Sequence, residues 1–445
     1  MTTPAAGATA VGGRNWFGHP RGLTILFLTE MWSEFSFFGM RTLLVYYMTQ
    51  QLLISQAHSS LIYGLYSGFA YFTPVLGGIA SDRWLGRRRA VLLGGGIMAA
   101  GHFMMAFAPA FYPALATIAI GNGLFLPSLT SQINQLYTDD DPRKPAAYNI
   151  YYVGINIGGF LAPFACGTVG ELWGWNWGFT LAGVGMIAGL IVYIVGTPLL
   201  PPEQQQPPSR KLAVARRPGI AEGLDRRTIV VLVAVFLLVV IYRSAYEQVG
   251  NTVALWAYTG VDRGIGRWTI PMTWFQALNP LGIFLFTPVV LAWWSRRGAR
   301  GKERSAVGKM ATGAFVLAAA FLLLSAAAWH ASAAGTRASW LWLASYFFVY
   351  TVGELFILPV GLGLFGRVAP PKIAATMIAA WFLAAFFGNL GAGALGTLWS
   401  SMLPWQFFIV VAAVAALAGG LLLALVPLAR PVDPDLKPQP PIRAG

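Results

Sequence analysis

The sequence predicts an all-α membrane protein with 12 transmembrane helices in two six-helix halves. Three observations predict it. The 445 residues are 56% hydrophobic and only 10% charged, with a mean hydropathy of +0.61, whereas soluble domains carry about 25% charged residues. Twelve apolar stretches recur, most at or above the roughly 20 residues needed to cross a bilayer. The basic residues fall in alternate connections between those stretches.

The expected spans are 23–50, 60–81, 90–109, 113–136, 146–167 and 176–198, then 228–258, 269–294, 306–330, 339–366, 373–398 and 405–429. One set of connections holds Arg83, Arg87, Arg88 and Arg89, Arg143 and Lys144, six basic residues between Arg210 and Arg227, six between Arg296 and Lys309, and Arg367 with Lys372. The opposite set holds Arg263, Arg267 and Arg337. The positive-inside rule puts the first set, and with it both termini, in the cytoplasm. Residues 199–227, rich in Pro, Gln and Arg, read as a solvated cytoplasmic linker between the bundles 23–198 and 228–429. Residues 1–22 form a cytoplasmic segment and 430–445 a disordered tail. The first 20 residues lack a continuous apolar core, so no cleavable signal peptide is expected and the first span serves as the targeting signal.

The first span carries charge inside it. Glu30, Glu34 and Arg41 fall within a stripe roughly 40° wide, with Phe37 beside them. Each ionised group at mid-bilayer costs about 2.5–3.5 kcal/mol even on the mildest scale, so this face must look onto a polar cavity or onto partners on other helices. In the seventh span Arg243 and Glu247 stand at i, i+4 and can pair along one face.

Other function classes lose ground on the same residues. A net charge of +14 could suggest nucleic acid, but the basic residues sit in short loops between spans. Cys166 is the single cysteine and the four histidines show no ligand spacing, so no disulfide framework or metal site is expected. Asp139-Asp140-Asp141-Pro142 reads as a loop or helix cap. Nothing points to an enzyme. The expected partners are a small-molecule substrate and the lipid bilayer, and short turns suggest a monomer.

Two six-span halves joined by a basic linker resemble the major facilitator fold, with substrate held between the halves. Gly77 to Arg89 (GGIASDRWLGRRR) supports this, its glycines allowing a tight turn while Asp82, Arg83 and Arg87 serve gating and topology. Further motifs narrow the resemblance: Glu30-Met31-Trp32 with Phe35 to Arg41, Tyr148 to Phe160, Tyr246 to Asn251, Trp274 to Pro280, Gly353 to Phe356 with Pro359 to Leu362, and Trp381-Phe382-Leu383. In this order they resemble the proton-dependent oligopeptide transporter family. The resemblance implies peptide transport by proton symport, with no cofactor beyond the proton. It implies that Glu354, Asn156 and Asn279 hold a peptide's ammonium end and Arg41 its carboxylate, with Tyr71, Trp274, Trp381 and Phe37 lining side pockets. Glu30, Glu34, Glu247 and Arg243 become the proton-coupling candidates.

The departures are as informative. Where the family has Glu-x-x-Glu-Arg, this chain has Glu30-Met31-Trp32-Ser33-Glu34, so a cation becomes an anion. Leu126 stands where the family has a lysine before Pro127, and Phe37-Phe38 replace a tyrosine pair. Arg243 is then expected to pair with Glu34 or Glu247. Glu30, Glu34, Glu247 and Glu354 outnumber Arg41 and Arg243 by two, which leans toward substrates with extra positive charge or no free carboxylate. Two alternatives stay open: a carrier of a non-peptide cationic or carboxylate-free metabolite with weakened or absent proton coupling, and a non-transporting sensor on the same fold.

Overall fold

A computed structural model describes residues 16, 18–138, 141–202, 225–368 and 374–433. Asp139, Asp140, most of the linker, Lys372 and the tail beyond Asp433 lie outside the described residues. The described residues form 12 long helices. Those of the first half are α1 Arg21–Tyr46, α2 Gln56–Ala80, α3 Arg87–Met104, α4 Ala108–Leu136, α5 Lys144–Trp173 and α6 Trp175–Leu199. Those of the second are α7 Arg226–Thr259, α8 Met272–Ala299, α9 Ala306–Ala334, α10 Trp340–Val368, α11 Ala374–Gly396 and α12 Pro404–Ala429. Nine of them, α4 to α12, are long and apolar enough to cross a membrane. The first three fall short of that mark for visible reasons: the buried charges of α1, the serines and tyrosines of α2 and the three arginines that open α3.

The boundaries differ from the expected ones by a few residues, most at the end of α5, which runs on to Trp173; α8 runs on to Ala299 and takes Arg296 and Arg297 into its last turn. Cations there face the negative end of the helix dipole and extend the helix beyond the apolar run. Two short β pairs decorate the opposite end, Val261–Asp262 with Ala338–Ser339 and Gly264–Ile265 with Trp268–Thr269.

Each half packs on itself in the same way. In the first, α1 packs on α5 and α6, and α3 on α4 and α6; in the second, α9 packs on α10 and α12, and α7 on α11 and α12. With no hydrophobic drive between helices in lipid, close backbone approach at small residues substitutes for it. A Cβ added to Gly94 of α3 would stand 2.7 Å from Gly121 O of α4, and one added to Gly313 of α9 2.6 Å from Gly353 O of α10.

Between the halves, α2 lies against α11 and α5 against α8. The α2–α11 contact is glycine on glycine: a Cβ on Gly64 would meet Gly393 Cα at 2.7 Å. Hydrogen bonds that cross between halves cluster toward the end with few basic connections. Tyr46 Oη donates to Ala254 O at 2.9 Å, Gln56 Nε2 to Gly396 O at 2.9 Å and Ser60 Oγ to Asn251 Oδ1 at 2.9 Å. Glu171 at the end of α5 accepts from Met272 N and Thr273 N, both at 3.0 Å, capping the positive end of α8 from the other half.

At the basic end, Arg87 Nε stands 4.0 Å from Asp82 Oδ1, and Arg88 Nη2 donates to Pro201 O at 2.6 Å. Arg143 donates to Asp141 through its side chain and backbone and holds that carboxyl down to about 2. The Asp433 side chain, buried, accepts from Ala306 N at 2.5 Å and caps α9.

Candidate functional site

The helices leave a cavity of about 170 Å³ between the halves, lined from α1, α2, α5, α7, α8 and α10. Phe38, Arg41 and Thr42 reach it from α1, at i, i+3 and i+4. Tyr71 comes from α2, Tyr152 and Asn156 from α5, Tyr246 and Glu247 from α7, Gln276 and Asn279 from α8, Tyr350 and Glu354 from α10.

Two polar clusters share this cavity. In the first, Glu247 is 1% exposed and binds an arginine with each oxygen. Arg243 Nη1 donates to Oε1 at 2.8 Å, and Arg41 Nη2 donates to Oε2 across the interface between the halves. Tyrosines hold both guanidinium groups: Arg41 Nε donates to Tyr63 Oη at 2.8 Å, and Arg243 lies over the Tyr71 ring at 5.1 Å. A buried carboxylate between a buried cation, Arg243, and a partly buried one, Arg41, leaves one positive charge over, which the aromatic faces soften.

In the second cluster Asn279 Nδ2 donates to Glu354 Oε2 at 2.6 Å and to Thr351 Oγ1 at 3.1 Å. Tyr350, one turn before Glu354, stacks on Tyr246 with ring centroids 4.9 Å apart. Asn156 turns its Nδ2 back to Tyr152 O at 2.9 Å, which leaves its carbonyl oxygen as the acceptor that this side chain can offer. One wall therefore carries guanidinium charge and another a carboxylate with amide neighbours, the arrangement that a zwitterion requires.

Glu30 and Glu34 stand nearer the basic end of α1, below the cavity. Glu30 is fully buried, with no ion pair among the described residues and Tyr151 as the donor beside it. Its electrostatic neighbours are Glu34 and Tyr151. Glu34 is partly exposed beside α5, and Arg41 is the cation in its field. Of the two partners expected for Arg243, the structure pairs it with Glu247 rather than Glu34.

Three expected lining residues sit elsewhere. Phe37 is turned 100° from Phe38 and packs edge-on against it, so Phe38 takes the lining position. Trp381 is 4% exposed, packs on Phe365 at 5.6 Å and fills the notch at Gly361, making it a core side chain of the second half. Trp274 packs edge-on against Phe164 and donates Nε1 to Thr168 Oγ1 at 2.7 Å, fastening α8 to α5. Tyr63, Gln276, Tyr350 and Glu171 were not anticipated. Only Tyr350 gives a sequence signal, standing i, i+4 before Glu354.

The comparisons with known proteins agree with this geometry. The PTR2 model, described as the POT family, matches residues 88–216 and 219–404. The chain is 30% identical over 94% of its length, and 96% of the relative's, to the peptide transporter YePEPT of Yersinia enterocolitica. It is 28% identical to a di-/tripeptide transporter of Lactococcus lactis, over 93% of this chain and 96% of that one. A crystal structure of the peptide transporter POT in complex with sulfate superposes with a TM-score of 0.87 at 27% identity, covering 95% of this chain and 98% of that one. A POT family transporter in complex with 5-aminolevulinic acid shares the fold, with a TM-score of 0.82 at 24% identity over 94% and 98% of the two chains. With a matched model across most of its length and relatives aligned almost end to end, the chain belongs to the POT family of transporters, multi-pass membrane proteins with the major facilitator fold.

Proposed function

We propose that this protein imports di- and tripeptides, or peptide-like small solutes, by proton symport with alternating access. The observation that carries the reading is the shared cavity, with Arg41 on one wall and Glu354, held by Asn279, on another. A peptide's carboxylate meets the first and its ammonium the second, with Asn156 offering a carbonyl acceptor. The fastening of the halves at the end with few basic residues supports an inward-facing state, in a cell inner membrane with both termini cytoplasmic. It works as a monomer whose units are the two six-helix bundles. No cofactor is needed beyond the proton, and no chemistry is done on the substrate.

Proton coupling calls for a carboxylate that is charged in one facing state and neutral in another. Glu30 suits this because it is buried beside a second carboxylate, Glu34, with no cation paired to it among the described residues, and Glu354 because a substrate ammonium can replace its proton. Asp82, Arg83 and Arg87 brace the turn after α2.

The excess of carboxylates favours a second reading of the substrate: solutes with added positive charge or without a free carboxylate, with looser coupling. One experiment tests both. Purified protein in liposomes is offered neutral, basic and acidic dipeptides with and without an inside-alkaline gradient. Gradient-driven uptake with basic dipeptides ahead of acidic ones is expected. Uptake of no dipeptide by well-folded protein would overturn the peptide reading, and uptake indifferent to the gradient would overturn symport.

A further inference from the structure

A second polar site lies outside the transport cavity, where the basic end of α8 meets the start of α9 and the side of α10. A small pocket there is lined by Trp293, Trp294, Arg297, Glu303, Arg304 and Lys309, with Phe356 at its back. Three cations face one carboxylate. Lys309 Nζ donates to Glu303 at 2.9 Å and lies 5.0 Å over the Trp294 ring, while Arg304 Nη1 is used by Thr312 at 2.8 Å. Arg297 stacks on Trp293 at 5.1 Å but makes no ion pair among the described residues, and its Nε is buried without an acceptor. The indole N–H of Trp294 is buried without an acceptor as well. Two unanswered donors beside a net positive charge call for an anionic oxygen.

We propose that this pocket holds the phosphate of an anionic phospholipid in the leaflet on the side of the basic connections. Inorganic phosphate would satisfy the same donors, but the surface above the pocket favours a lipid. Leu285, Val289 and Trp293 are 51%, 63% and 40% exposed and recur every four residues, so they form one apolar stripe that ends at Arg297. From Leu285 to Arg297 the stripe runs about 18 Å, close to the depth of one leaflet of a hydrocarbon core about 30 Å thick. An acyl chain lies along the stripe; the pocket, about 10 Å³, has room for one oxygen, so one phosphate oxygen enters to accept from the two N–H groups while the rest of the headgroup stays at the mouth. The net positive charge selects an anionic headgroup over a zwitterionic one.

The test uses the purified full chain in detergent with phosphatidylglycerol, phosphatidylethanolamine or inorganic phosphate added. Retention is read by native mass spectrometry and the thermal unfolding midpoint. Phosphatidylglycerol is expected to be retained and to raise the midpoint, while the other two do neither. Arg297→Gln and Trp294→Phe should each weaken retention about fivefold. Trp294→Phe removes the donor and leaves a smaller aromatic ring in place. Arg297→Lys should recover part of the loss and Arg226→Gln, in another basic connection, should change nothing. Equal retention of the two lipids, a midpoint rise with inorganic phosphate alone, or full retention by both variants would overturn the proposal.

Discussion

Arg41 of α1 and Glu247 of α7 form an ion pair that crosses from one half of the protein to the other. The carboxylate also serves Arg243 at 2.8 Å, and little of it reaches solvent. The clasp thus binds the halves together and keeps two cations from being buried unpaired.

Removing the shared partner strands both cations. Glu247→Ala is expected to cost about 3–5 kcal/mol of stability, the usual penalty for breaking a buried pair. Equilibrium unfolding in detergent measures it, and a double-mutant cycle with Arg243→Ala should give a coupling energy above about 1 kcal/mol. An uncoupled pair would mean that Arg243 is held by Tyr71 alone.

The charge of the permeation path is predicted to set substrate preference. Competition for uptake by dipeptides should rank basic ahead of neutral and neutral ahead of acidic in the wild type. Glu34→Arg combined with Leu126→Lys adds three positive charges and should compress or reverse that order. An unchanged order in the folded double variant would detach selectivity from these positions.

Asn279→Ala removes the 2.6 Å donor from Glu354. A hydrogen bond to a charged group contributes about 1.5–3 kcal/mol, so KM for a neutral dipeptide should rise at least about tenfold with little change in expression. Asn279→Asp should do more harm, since it places a second carboxylate beside the first. The readout is a saturation curve in liposomes, and an unaltered KM would remove Asn279 from the site.

Asp433 is tied to the first turn of α9. Asp433→Ala should lower stability by about 1 kcal/mol, as for other lost caps, while Asp433→Asn should keep most of it. Thermal unfolding in detergent distinguishes the two, and equal loss in both would point to charge rather than the hydrogen bond.

Local relationships were readable from the sequence. Arg243 and Glu247 stand one helical turn apart, so spacing made Glu247 one of two expected partners, with Glu34 the other, and the structure decides for Glu247. The twelve apolar stretches and the alternation of basic connections also follow from local composition. What joins helices was not readable: Arg41 finds Glu247 at a separation of 206 residues, and Glu171 finds the start of α8 at 101. Aromatic residues were ambiguous for another reason. A tryptophan serves a pocket wall, a core or an inter-helix hydrogen bond with equal ease, and only packing tells that Trp381 fills a notch while Trp274 fastens two helices. Phe37 and Phe38 show how fine the margin is, since one residue along a helix rotates the side chain by 100°.

The glycine contact between α2 and α11 has a mechanical meaning. Interdigitated side chains behave like teeth and must disengage before one helix can move past another. At Gly64 and Gly393 the two backbones touch with no teeth between them. Such a joint acts as a bearing: it holds two rigid bodies at a fixed separation and offers little resistance to rocking about it. Under the proposed alternating access, the ion pair at Arg41 would be the latch, and the swing of one half against the other would be set by how readily that latch opens.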